Sequence, residues 1–162
     1  MELKCPALLI GAVSALALTL TPAPALAHDG GHDLIRSDLT PSMPTDAAIN
    51  GVSPGMLPWV LSRGEVRVRE NGRMDVRIEG LQIPRNGGTD NPVGSIDAVL
   101  YCGGAAVADS GPQPMSVPGG DARFRVFLSV PSTCDAATVL ISPTPAVGVA
   151  YIASATAVDE ED

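Results

Sequence analysis

An all-β fold, a single small antiparallel β-sandwich of Greek-key type with about 7–8 strands and one disulfide, is what this sequence predicts. Three observations carry that expectation. Short runs rich in β-branched residues recur along the chain, each bounded by Gly, Pro or Asn. No window longer than about 10 residues keeps the 3.6-residue apolar period of a helix. Apart from Cys5, two cysteines remain, Cys102 and Cys134, which would staple such a module. The 162 residues are 45% hydrophobic but 3% aromatic, with 15 Pro and 17 Gly, enough to fill one core and too few for two domains.

The chain opens on an address. Residues 1–27 read as a secretory signal peptide: Lys4 in a short n-region, an apolar stretch from Ala7 to Leu20, and Ala25-Leu26-Ala27 as the cleavage site. The apolar stretch is shorter than the roughly 18–20 residues that span a bilayer, so no stable membrane span is expected after cleavage. Export also makes a Cys102–Cys134 disulfide the natural state of that pair. In the chain-entropy view, closing that loop stabilises the fold by roughly 3.5–4 kcal/mol.

Residues 28–57 read as a flexible N-terminal tail or linker. They hold no sustained period, and Thr40-Pro41-Ser42-Met43-Pro44 and Asn50-Gly51-Val52-Ser53-Pro54-Gly55 are turn chemistry. The β-sandwich domain is then expected over residues 58–158, and 159–162 (Asp-Glu-Glu-Asp) as a solvated acidic tail.

Within the domain the strand-like runs are Trp59–Leu61, Gly64–Arg69, Met74–Ile78, Ser95–Cys102, Ala105–Ala108, Arg123–Val130, Thr138–Ser142 and Val147–Ala153. The hairpin around Glu70-Asn71-Gly72 can be given a register. Val66 and Val68 must share a face with Met74, Val76 and Ile78; a two-residue Asn-Gly loop would mix the faces. A three-residue loop with left-handed Gly72 pairs Val68 with Met74 and Val66 with Val76. The outer face then matches Arg67 with Asp75, Glu65 with Arg77 and Arg63 with Glu79, all opposite charges. Trp59 and Leu61 are out of phase with Val66, and a bulge at Gly64 is the expected remedy. Trp59, Ile96, Leu100, Phe124, Val126, Leu128 and Ile141 are expected core residues, with Tyr101 and Phe127, out of phase, as a contact patch.

Charge argues against nucleic acid as a partner. After cleavage the chain keeps nine Arg, no Lys and a net charge of −8, and the Arg-rich stretch 63–77 is interleaved with acids. Catalytic motifs are thin. Gly51-Val52-Ser53-Pro54-Gly55 matches G-x-S-x-G, yet Pro54 has no N–H for an oxyanion hole and no His follows it. Asp109-Ser110-Gly111 matches the D-[ST]-G of aspartic proteases, but a β-turn accounts for it. Asp97, Asp109 and Asp121 are carboxylates the sequence does not direct to a common site. The one metal-binding candidate is His28-Asp29-Gly30-Gly31-His32. Cleavage would leave His28 at a free amino terminus, where amine and imidazole, with His32, could hold Cu or Zn in an arrangement resembling a histidine brace.

Taken together, the segment Arg63–Leu81, the two later cysteines and the signal peptide resemble a group of short exported proteins of GC-rich Gram-positive bacteria. Gly64–Leu81 is also similar to the opening hairpin of CHRD domains, which are secreted β modules. CHRD domains continue with a His-rich A-H-I-H-like segment, where this chain has Ser95-Ile96-Asp97-Ala98-Val99-Leu100 without His. The resemblance implies the β class and says nothing about a ligand. The expectation is a secreted, non-catalytic β-sandwich in a structural or binding role at the cell envelope or outside the cell, its partner an unidentified protein or envelope component. The alternative is a copper- or zinc-binding secreted protein using His28 and His32. Thr89–Pro92 and Gln113–Pro118 are the loops expected to be exposed.

Overall fold

The computed structural model describes residues 31–157; the expected signal peptide 1–27, His28 and the acidic residues 159–162 lie outside the described residues. In chain order the strands are β1 (Asp33–Asp38), β2 (Thr40–Pro41), β3 (Ser53–Pro54), β4 (Arg63–Arg69), β5 (Arg73–Glu79), β6 (Ile83–Arg85) and β7 (Gly88–Asp90). They continue with β8 (Ser95–Cys102), β9 (Ala105–Asp109), β10 (Gln113–Pro114), β11 (Ala122–Phe127), β12 (Thr138–Pro143), β13 (Ala150–Tyr151) and β14 (Ala153–Thr156). There is no helix among the described residues. Two antiparallel sheets dominate, one ordered β1-β4-β5-β11 and one β10-β8-β12-β14-β2, with β9 also on β8. The all-β class and the Cys102–Cys134 disulfide are both present.

The hairpin has the register its side chains require. Val68 faces Met74, Val66 faces Val76, and the charged pairs Arg67/Asp75, Glu65/Arg77 and Arg63/Glu79 stand opposite one another. Gly72 closes the loop at φ +85°. The expected bulge at Gly64 is absent, since Gly64 pairs regularly with Ile78. Phase changes instead at Leu61–Ser62 and Gly80, on both strands together. Ser62 bends the chain, Gly80 takes φ +65°, and the ladder resumes at Val60 and Gln82 without losing a residue. Trp59 and Leu81 thereby turn into the core. Gly64 is needed for another reason: a Cβ there would lie 2.6 Å from Leu61 and 2.7 Å from Leu39.

The apolar faces of both sheets form the main core, with Val66, Val68, Met74 and Ile78 from one side and Ile96, Leu100, Val139 and Ile141 from the other. Phe124, Val126 and Leu128 pack against it half-buried, because β11 is an edge strand.

Two expectations need correction. Residues 28–57 are not a tail throughout. β1 adds to the edge of β4, β2 to β14, and β3 runs parallel to β13. This segment docks through single residues, Ile35, Leu39 and Val52, between backbone hydrogen bonds, so no period marks it. Asn50-Gly51, both left-handed, form a two-residue turn in which Ile49 and Val52 exchange both hydrogen bonds. Nor is Tyr101 a surface patch. β8 is buried on both faces, and Tyr101 packs with Val52, Val99, Leu140 and Tyr151 in a second small core on the far side of the six-stranded sheet. Burial, with a smaller push from the Asp109 carboxylate, raises the Tyr101 phenol above its ordinary range. The lid over this core is the former linker, held where the Tyr151 hydroxyl donates to Ala47 O at 3.0 Å.

Candidate anion-binding face

Period-2 alternation sends the odd-numbered residues of β4, β5 and β11 to one side of the four-stranded sheet and the apolar even-numbered ones to the core. The exposed side is therefore written almost wholly in charge. It carries Arg36 from β1, four arginines from the hairpin together with Arg63, and Arg123 and Arg125 from β11; Arg85 alone of the nine lies elsewhere. Five carboxylates stand among these eight arginines, those of Asp33, Asp38, Glu65, Asp75 and Glu79. Counted over its strand residues, with Asp121 just before β11 left out, the face is thus net +3 on a chain whose total is −8, which leaves −11 for the rest.

The hairpin alone already sets five arginines against the three carboxylates of Glu65, Asp75 and Glu79, and its neighbours bring further arginines directly beside two of them. β11 sets Arg123 directly beside Arg77 and Arg125 beside Asp75, while β1 sets Arg36 beside Arg67. Like charges directly opposite on neighbouring strands are unfavourable, and two arginine pairs and one acidic pair, Asp38 beside Glu65, now flank the ladder. Interspersed carboxylates hold several guanidiniums in fixed poses. Asp75 accepts from Arg73 Nε at 2.8 Å and from Arg125 Nε at 2.5 Å, and Asp33 accepts from Arg67 Nε at 2.7 Å. Arg77 is paired with Glu79, and Arg69, whose side chain is 11% exposed, lies 3.9 Å from Asp33. Among the described residues Arg63 and Arg123 form no ion pair.

Two protonation states follow from this geometry. Partial burial pushes the Asp75 carboxyl up, but hydrogen bonds and charge from Arg125 and Arg73 outweigh it and hold the group below the usual carboxylate range. The hydrogen bond to Asp33 raises the already basic Arg67 further. The side chains form an open groove of about 590 Å³, floored by Val76 and Phe124 and walled by Arg67, Arg73, Arg77 and Arg125. Phe127, 73% exposed, stands on the same face opposite Arg73. A rigid row of guanidinium forks in an open groove suits oxyanions on an extended ligand.

The residues singled out in the sequence are scattered. His32 is exposed at the start of β1, its backbone oxygen accepting from Glu70 N, and His28 lies outside the described residues. No group of three or more His, Cys, Asp or Glu that could hold a metal occurs among the described residues. Ser53 is in β3, and the first glycine of that motif is half of the Asn50-Gly51 turn. Asp109-Ser110-Gly111 is a turn, with Asp109 accepting from Gly111 N and Ser110 Oγ accepting from Ala98 N. Asp97 is buried against Thr144, and Asp121 accepts from Gly80 N, so the three carboxylates are on separate elements, each with its own partner. The two loops expected to be exposed are tied together: fully buried Asn91 donates to Val93 O and Ser116 O.

The sequence did show five arginines in the hairpin, but carboxylates opposite Arg63, Arg67 and Arg77 made a solvent-side ladder of them and left only Arg69 facing Arg73 unfavourable. The signal missed was the Arg123-Phe124-Arg125 alternation, whose meaning depends on β11 lying beside β5 and not elsewhere. No family model, curated protein or solved structure matches this chain.

Proposed function

We propose that this protein is an exported, non-catalytic β module that works by binding, and that the arginine face of the four-stranded sheet is its binding surface. The observation that carries this reading is the concentration of eight of nine arginines on one sheet face, two pairs of them directly opposed. Such pairs lower sheet stability unless an anion lies between them, so their arrangement makes sense as a receiver of negative charge. The non-catalytic part draws support from Asp97, Asp109 and Asp121, each engaged separately, and from the engagement of Cys102 and Cys134 in a disulfide. The disulfide and the signal-peptide pattern of residues 1–27 support export, and with it an anionic partner at or beyond the cell envelope.

Co-sedimentation with isolated envelope material tests the reading. Protein that begins at His28 by intact mass should pellet with the envelope at 50 mM salt and be released as salt rises. Arg123→Glu/Arg125→Glu should remain folded, because both side chains are exposed, and stay in the supernatant. Wild-type protein that fails to pellet, or a variant that pellets equally, overturns the proposal.

A further inference from the structure

Resting on that reading, we infer that the ligand of the arginine face is a linear acidic glycan with one carboxylate on each sugar ring, lying along the groove between β4, β5 and β11. The first argument is shape. The groove is open and encloses no chamber, and a second depression lined by Arg77, Glu79, Asp121 and Arg123 continues it toward the other end of the sheet. An extended chain fits such a surface where a compact ligand would stay largely solvated.

The second argument is spacing. Neighbouring strands are about 4.8 Å apart and successive same-face residues about 6.7 Å apart, so Arg77, Arg123, Arg125 and Arg73 follow one another across the face at steps of roughly 5–8 Å. A polymer charged once per ring meets that series group by group.

The third argument, composition, selects a glycan from among polyanions. Glu65, Asp75 and Glu79 stand among the arginines and present acceptor oxygens. Polyphosphate and a nucleic-acid backbone bring densely spaced anionic acceptors and would be repelled by those carboxylates. An acidic sugar offers both partners, a carboxylate for the arginine forks and ring hydroxyls that donate to Glu65 and Asp75. Phe127 adds an exposed ring at the end of the face, suited to cover the apolar side of a pyranose. The overall charge of −8 points the same way, since its long-range repulsion penalises a dense polyanion more than a sparse one.

Isothermal titration of the exported protein with oligogalacturonate, its fully methyl-esterified form and polyphosphate of matched charge tests the inference. Oligogalacturonate should bind, the neutral ester should not, and polyphosphate should bind at least tenfold more weakly. Arg77→Gln and Arg123→Gln should each weaken oligogalacturonate on the order of tenfold, with unfolding temperature unchanged or raised. Glu65→Gln should narrow the gap between the two polymers by removing a carboxylate that repels phosphate. If polyphosphate binds as tightly as oligogalacturonate and the arginine variants lose it, the glycan inference falls and the anion-binding face stands. If neither polymer binds at 50 mM salt, or both arginine variants bind like wild type, both fall.

Discussion

Replacing Gly72 with Ala tests how the hairpin loop is tied to β11. The residue sits at φ +85°, and a Cβ added to it would lie 2.1 Å from the backbone oxygen of Leu128, far inside contact. Two costs add. A left-handed conformation in a residue with a Cβ costs about 1–2 kcal/mol. Relieving the clash also pulls apart the Leu128 N–H to Gly72 O hydrogen bond, now 2.7 Å, at about 1 kcal/mol. The sum is about 2–3 kcal/mol, or roughly 6–15 °C of unfolding temperature for a domain of this size. Thermal and urea melts followed by far-ultraviolet circular dichroism give the number. Gly72→Asn separates the terms: Asn tolerates the left-handed region but keeps the Cβ, so it should recover part of the loss and not all. If Gly72→Ala lies within 0.5 kcal/mol of wild type, the close approach of Leu128 is not a constraint and the reasoning fails.

Two further outcomes follow from the described contacts. Asp75→Asn removes a carboxylate held down by Arg73 and Arg125, and should lower stability by about 1 kcal/mol at pH 7. Because folding depresses this carboxyl below its unfolded value near 3.9, its contribution is present above that pH and is lost as pH falls through the folded value. The gap in melting temperature between wild type and variant should therefore hold from pH 7 to 5 and close below pH 4; a gap that widens in acid contradicts the assignment. Leu140→Ala, in the second core, should cost 2–5 kcal/mol in a denaturant titration, and Phe127→Ala less than about 0.5 kcal/mol; equal losses would mean the second core is not packed as described.

What could be read from the sequence was what depends on neighbours near in the chain. The register of β4 and β5 follows from five even-numbered apolar residues and three opposite-charge pairs, all within one hairpin. Trp59, Ile96 and Ile141 were likewise set by local alternation, and all three are buried. Contacts between distant segments were not readable. Tyr101 looked outward because β8 alternates, and only the return of residues 47–54 over the sheet covers it. The expected bulge at Gly64 failed for a related reason: one strand was read alone, whereas Ser62 and Gly80 shift both strands at once. The arginine face fell on the same divide. Its hairpin half was visible through three opposite-charge pairs, and the directly opposed arginines arise where β1 and β11 join the sheet.

The separation of charge also governs how the molecule meets a surface. With +3 on one face and −11 on the remainder, an anionic surface repels the whole protein at long range yet attracts one side of it at contact. At physiological salt the Debye length is about 8 Å, so the distant repulsion is screened while the near attraction survives. Approach is therefore a matter of orientation: the protein is turned face-first in the last few ångströms, and association should pass through a maximum at intermediate ionic strength. Too little salt keeps it away from the surface, and too much releases it.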